Sequence, residues 1–257
     1  MSSSMFHNGV NCDVYIGTGA GSMIDRHIKN ANKSIKIVSP YLNPHLVEKL
    51  IHLKRKGREI SLITNTEIED FYGSVSKRNI YELIHQVKTT DKDAVKRQEK
   101  YKNTSQILLY VTGGLILLLL GLYYFTAKAE VAVGLVPILI LLLVYNMYRS
   151  KAKNTKIYNY HYEKLFPFKV CLPDSYANNS FTIHSKIFII DNRTAFLGSL
   201  NFTKSGFEDN HETRVKIEDP TVVRKINDEF NALFNNPNIK EADIQKIGSR
   251  LYPEPIN

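Results

Sequence analysis

The stretch His184-Ser185-Lys186-Ile187-Phe188-Ile189-Ile190-Asp191, followed by Gly198-Ser199-Leu200-Asn201, decides how the rest of the chain is read. Its pattern, H-x-K-x4-D-x6-G-S-x-N, occurs once in 257 residues. The apolar, largely β-branched run of Ile183, Ile187, Phe188, Ile189 and Ile190 predicts a buried strand over 181–190. On a strand, residues two apart project from the same face, so His184 and Lys186 are neighbours. An imidazole beside an ammonium suits attack on a phosphodiester. The ring nitrogen attacks phosphorus while the cation neutralises the non-bridging oxygens. Asp191, five residues beyond Lys186, falls on the opposite face by parity and is read as structural, fixing a turn or a salt bridge.

These residues resemble the H-K-D signature of the phospholipase D superfamily, trailing Gly198-Ser199-x-Asn201 included. Asn201-Phe202-Thr203 continues the likeness, and Asn210-His211-Glu212 supplies a downstream carboxylate. The resemblance implies an α/β domain and a covalent phosphohistidine on His184. It implies no metal and no cofactor, and one active site assembled from two H-K-D halves. It casts Glu212 as the acceptor that orients His184, by the logic that places an acid behind a catalytic histidine. Lys186 is expected to hold the phosphate charge and Asn201 to donate to its oxygens, with Ser199 a weaker donor and Gly198 serving the turn. His211, beside Glu212, is expected to point the other way and is given no role.

In-line displacement puts nucleophile and leaving group on opposite sides of phosphorus, so one histidine does not serve both. The other H-x-K triplets, His27-Ile28-Lys29 and His52-Leu53-Lys54, lack the following Asp and Gly-Ser-x-Asn and fall in expected helices. The second half must then come from a second chain, which predicts a twofold homodimer with a shared site.

Two uncharged runs, 107–125 and 131–148, are each long enough for a bilayer core of about 30 Å at about 1.5 Å per residue. Thr126-Ala127-Lys128-Ala129-Glu130 alone separates them, so they form an antiparallel pair. Gly113, Gly114, Gly121 and Gly134 are expected to allow close helix approach. Tyr123, Tyr124, Tyr145 and Tyr148 lie where amphipathic rings prefer the interface. Lys96, Arg97, Lys100 and Lys102 precede the hairpin, and Arg149, Lys151, Lys153 and Lys156 follow it. The positive-inside rule thus expects a membrane protein with the catalytic domain and both termini cytoplasmic.

The net charge of +9 is unevenly spread. Residues 166–257 carry 11 Lys/Arg against 12 Asp/Glu, residues 1–65 carry 9 against 4, and residues 66–165 carry 14 against 9. The part bearing the motif is therefore nearly neutral, which speaks against tight duplex binding. Lys54-Arg55-Lys56-Gly57-Arg58 is a compact basic cluster, read first as a solvated helix end and second as a phosphate-backbone contact. Two cysteines, Cys12 and Cys171, offer no disulfide framework and no metal spacing. Met1 to Asn11 is polar, so no secretory signal is expected. Gly17-Thr18-Gly19-Ala20-Gly21 misses the G-x-G-x-x-G spacing and reads as a turn before a helix.

The fold class expected is α/β, a phospholipase D-like mixed sheet flanked by helices and interrupted by the two-helix transmembrane hairpin. Helices are expected at 23–32 and 46–56, strands at 35–38 and 60–64, then strands near 168–172, 194–197 and 212–217. Asp219-Pro220 opens a helix to about 234, and 241–251 forms another. The division is 1–76, the first part of the catalytic domain; 77–165, a helical stalk (77–104 and 149–165) with the hairpin; and 166–257, the part with the motif. Tyr41 is placed at a strand end beside the cleft. Three functions compete. The motif spelling resembles small bacterial nucleases and favours nucleic acid; the hairpin favours a phospholipid substrate for a phospholipase or phosphatidyl transferase; a non-catalytic assembly module fits the intact motif least.

Overall fold

The computed structural model describes residues 8–65, 83–172 and 182–257. It divides into two compact units, Met1–His85 with Tyr162–Leu251, and Gln86–His161 with Tyr252–Asn257.

The first unit is a seven-stranded mixed sheet covered by helices. Its strands are β1 (Cys12–Gly17), β2 (Ser34–Val38), β3 (Glu59–Thr64), β6 (Phe168–Val170), β7 (Ile187–Ile190), β8 (Thr194–Gly198) and β9 (Glu212–Ile217), in the order β1-β9-β8-β7-β2-β3-β6. β2, β3 and β6 run parallel; the remaining neighbours are antiparallel. Helix α1 (Gly21–Lys29) joins β1 to β2, and α2 (Pro44–Arg55) joins β2 to β3. Asn43 caps α2 by accepting from the His45 amide at 2.9 Å, and Pro44 takes the first helical position, where its missing N–H costs nothing. Lys49 donates to Asp25 at 3.0 Å, tying α2 to α1.

The two faces of the sheet follow the period of two. Val38, Ile63, Ile189, Ala195 and Ile217 pack under α5 (Pro220–Phe234) through Val222, Val223, Ile226 and Phe230. Asp219 caps α5 as its sequence predicts, accepting from Thr221 and Val222. Phe188 and Phe196 point the other way, towards α1, whose His27 ring meets Phe196 edge-on at 5.1 Å. Burial lowers the His27 pKa, with Lys216 next in effect. Helix α6 (Ile244–Leu251) closes the unit.

The second unit holds α3 (Lys92–Thr126), a 3-10 turn (Ala129–Gly134) and α4 (Leu135–Asn154). Both helices are long and apolar enough to cross a membrane, and only 6 % of the most apolar stretch of each is buried. A core hairpin of a water-soluble fold would bury that surface. The expected stalk is helical from Lys92, and its two arms pack together: Gln98 donates to the Ala152 carbonyl at 3.1 Å and Tyr101 meets Tyr148 at 6.0 Å. Gly134 does meet the partner helix, at the Leu119 side chain. Gly113, Gly114 and Gly121 do not: a Cβ at each would meet open space.

Two further corrections concern strands. Ile84–Thr90 and Tyr158–Lys164, expected as helical stalk, are β4 and β5, paired as a two-stranded ribbon. The Val87/Thr89 and Tyr158/Tyr160/Tyr162 alternations outweigh the helix-forming Lys and Glu between them. β1 was not expected at all. It is an edge strand with Val14 and Ile16 over 60 % exposed, so no alternating burial marks it. Residues 66–82 and 173–181, including 77–82 of the stalk and the first residue of the motif strand, lie outside the described residues.

Candidate active site

The sheet topology gathers seven strand ends at one end of the first unit. β2 ends there at Val38, β3 at Thr64, β6 at Val170, β8 at Gly198 and β1 at Gly17, while β7 and β9 start there at Ile187 and Glu212. The motif residues all fall on these ends and the turns beyond them. His184 to Lys186 precede β7 rather than lie within it, so the strand is shorter than expected. Its neighbour β2 stops pairing at Val38, after which the chain turns away through Ser39-Pro40. Pro40 has no N–H to continue a ladder.

His184 is exposed and Lys186 is only 7 % exposed. The Lys186 Nζ lies 3.0 Å from His184 Nδ1 and 3.3 Å from Nε2, and donates to the His184 carbonyl at 2.6 Å. The expected pairing of imidazole and ammonium is therefore present. Burial pulls the Lys186 pKa down, and the negative charge of Glu212 opposes that pull. A partly desolvated ammonium attracts an arriving phosphate more strongly than a solvated one would.

Glu212 is buried at the start of β9. The expected hydrogen bond from His184 to Glu212 is absent among the described residues. Instead one carboxylate oxygen accepts from the Ser199 hydroxyl and the other from Asn210 Nδ2 at 3.1 Å. Ser199 in turn accepts from the Thr213 amide at 3.0 Å. Its proton is thus committed to Glu212. Gly198 is required by space: a Cβ there would run into the Thr213 carbonyl oxygen. Asn201 is partly buried, and its Oδ1 is buried without a hydrogen-bond partner among the described residues.

Asp191 is not on a strand face at all. With Asn192 it forms the β7–β8 turn at left-handed φ of 54° for both, a conformation that Asp and Asn tolerate best after glycine. Its carboxylate accepts from the amides of Asn32, Lys33 and Ser34 at 2.7–3.1 Å. Burial works against ionisation, but these three amides and Arg193 outweigh it and hold the carboxyl below its ordinary range. The structural reading of Asp191 fits this position, at the end of the sheet away from His184.

Three supporting residues have no role assigned by the motif. Asn65 Nδ2 donates to the Ile183 carbonyl at 2.7 Å, fixing the entry to His184. Ser39 donates to the Tyr41 carbonyl at 2.6 Å and accepts from the Phe202 amide at 2.8 Å, fixing the exit from Asn201. Asn210 steadies Glu212. Only their place at strand ends marks them, and that place needs the topology. Tyr41 is 60 % exposed at this end. The two rejected triplets lie on α1 and α2, with His52 exposed and His27 facing Phe196. Among the described residues no group of three His, Cys, Asp or Glu side chains could hold a metal ion.

Comparison with known proteins finds similar domains. A family model described as cardiolipin synthase, phospholipase D-like domain, matches residues 123–234. No curated protein matches the chain. Similar solved structures include Nuc, a phospholipase D family member from Salmonella typhimurium, at 15 % identity and a TM-score of 0.43, covering 90 % of this chain and 99 % of that one. NucT from Helicobacter pylori follows at 14 % identity and 0.40, covering 86 % and 94 %. Phosphatidylserine synthase from Haemophilus influenzae has 14 % identity and 0.44, covering 95 % of this chain and 43 % of that one. The matched segment contains the whole H-x-K-x4-D-x6-G-S-x-N pattern and Glu212, so the part of the chain that carries the motif is similar to phospholipase D-like domains.

Proposed function

We propose that this chain is a membrane-anchored phosphodiesterase that works through a phosphohistidine on His184, and that its substrate is a nucleic acid. The observation that carries the chemistry is the buried Lys186 ammonium against the exposed His184 ring, beside the buried Glu212. A phosphate arriving at this end of the sheet takes over the ammonium, freeing a ring nitrogen to attack. The new N–P bond forms as the P–O bond to the leaving group breaks, and the leaving oxygen takes a proton from the far side. A second His184, from a second copy of the chain, sits where that proton is needed. Water then attacks phosphorus, restoring the imidazole and releasing a phosphomonoester. Asn201 donates to the phosphate oxygens, and Glu212 balances the charge of Lys186. The two long apolar helices anchor the chain, with their basic flanks on the cytoplasmic side.

A phospholipid substrate is the second reading, favoured by those same helices and by the description of the matching family model. Purified protein in detergent, with chelator, separates the two. Wild type and His184→Ala each receive labelled single- and double-stranded nucleic acid and, separately, phosphatidylcholine, phosphatidylglycerol and cardiolipin vesicles. Nucleic-acid cleavage that the substitution abolishes is the expected result. Release of headgroup or phosphatidic acid instead overturns the nuclease reading. Turnover by a species that stays monomeric in detergent overturns the shared site.

A further inference from the structure

One aromatic ring stands in the open at the catalytic end of the sheet. Tyr41 is 60 % exposed, although Pro40 and Leu42 on either side of it are buried. Among the described residues its side chain has no ring, cation or hydrogen-bond partner; only its carbonyl is bonded, to Ser39. The backbone that carries the ring is nevertheless fastened on both sides. On one side, Asn65 ties it to the histidine: its amide donates to the Pro40 carbonyl at 3.2 Å and its side chain to the Ile183 carbonyl at 2.7 Å. Tyr41 and His184 are the residues that follow those two carbonyls. The Thr64 hydroxyl adds a second bond to the Pro40 carbonyl, at 3.2 Å. On the other side, Leu42 and Phe202 form a parallel bridge, and the Asn43 amide donates to the Phe202 carbonyl at 3.0 Å. One residue back along each chain, Tyr41 lies beside Asn201, about 4.8 Å away at one strand spacing.

An exposed ring on so constrained a backbone loses little freedom when a ligand settles on it. Its position says which ligand. The ring sits between the nucleophile and a residue assigned to the phosphate oxygens, and a nucleotide carries its flat base one sugar away from its phosphate. A quaternary ammonium headgroup is held by a cage of several rings, and among the described residues no second ring faces Tyr41. Charge contributes little here, because residues 166–257 carry 11 Lys/Arg against 12 Asp/Glu. Stacking needs no charge, and it accepts every base because every base has a π-face. In a duplex those faces are covered by neighbouring base pairs, so an exposed ring selects unpaired strands.

We propose that the Tyr41 ring is the stacking surface for a base next to the phosphate attacked by His184, and that it selects single-stranded nucleic acid. The proposal rests on the nuclease reading above and narrows its substrate. Loss of one such stack weakens binding roughly 5- to 100-fold.

Full-length protein in detergent, with chelator, receives three labelled substrates: a single-stranded oligonucleotide, the same sequence as a duplex, and a single strand of equal length that lacks bases. Tyr41→Ala should raise KM for the base-bearing single strand roughly tenfold, with the change in KM rather than kcat, while Tyr41→Phe keeps the wild-type value. On the strand without bases, wild type should itself show the raised KM, and the gap between wild type and Tyr41→Ala should close. A ring that is merely structural would raise KM on both strands alike, which overturns the proposal. A duplex bound as tightly as the single strand, and weakened as much by Tyr41→Ala, overturns the selection of unpaired strands. A second readout needs no turnover. The chain has no tryptophan, so Tyr41→Trp in a His184→Ala background reports on this position alone. Its emission should be quenched by the base-bearing single strand and not by the strand without bases. Quenching by phosphocholine instead overturns the proposal in favour of a headgroup contact. Nucleic-acid cleavage that His184→Ala abolishes and Tyr41→Ala leaves untouched rejects the stacking alone; headgroup release with no nucleic-acid cleavage rejects the nuclease reading and the proposal with it.

Discussion

At one end of the seven-stranded sheet a buried lysine lies against an exposed histidine; at the other a carboxylate is held by three backbone amides, although the Ser34 hydroxyl beside it is buried without a partner among the described residues. Near His184 a lysine is desolvated, the Asn201 side-chain oxygen lacks a partner among the described residues, and Glu212 spends its hydrogen bonds on Ser199 and Asn210. Around Asp191 a carboxylate takes three amides and an arginine is held by two carbonyls. The same seven strands thus end in a region where a buried cation meets an exposed ring and in a region where a carboxylate is locked by the backbone. Substitutions at the two ends should move different observables.

The largest effect is expected from His184→Ala. Turnover should fall by at least about 10⁴-fold, while the melting temperature hardly moves because the ring is exposed. Lys186→Met should cost roughly 10²–10³-fold in kcat, with equal or greater resistance to denaturant, since an apolar chain replaces a buried cation. A large loss of stability in that variant would mean the ammonium is structural. Asp191→Ala should do the reverse, lowering unfolding free energy by about 2–3 kcal/mol in a denaturant titration and leaving activity per folded molecule intact.

The acid limb of stability belongs to this same end. The Asp191 carboxyl is held below its ordinary range in the folded chain, so its contribution is complete above that range, about pH 4 and higher. It is lost as pH falls through the depressed native value, and Asp191→Asn should flatten this part of the pH–stability curve. The smallest effect is expected at Glu212→Gln. The Glu212 charge raises the Lys186 pKa against burial, so its removal should move the alkaline limb of the kcat/KM profile to lower pH. An unmoved limb would show that Lys186 and Glu212 are not coupled.

Much of this contrast is legible in the sequence, because it rests on local patterns. Asp219-Pro220 gives a cap and a first helical residue, Gly198-Ser199 gives a turn with no room for a side chain, and the two uncharged runs give the hairpin. The motif gives His184, Lys186, Asn201 and Glu212 as a set. What the sequence hides is which groups are already spoken for. Glu212 can be placed beside a histidine by family likeness, yet its oxygens are taken by Ser199 and by Asn210, two residues away in a turn whose geometry no spacing reveals. β1 is hidden for another reason. An edge strand with two exposed faces carries no burial period, and its partner β9 lies 200 residues further on.

That last pairing has a consequence for the order in which the protein is made. Cys12 faces Ile217 across the β1–β9 ladder, and β2 finds its second neighbour only at Ile187–Ile190. During synthesis the first three strands emerge early and wait, with unpaired edges, while both long helices are completed and the rest of the sheet is still being made. Contacts this distant are slow to form, and open strand edges invite association with other chains in the interval. The nascent chain therefore passes through a stage in which its apolar helices are finished and its sheet is not. Early delivery of those helices to a bilayer would keep neighbouring nascent chains apart until residues 212–217 arrive to close the sheet.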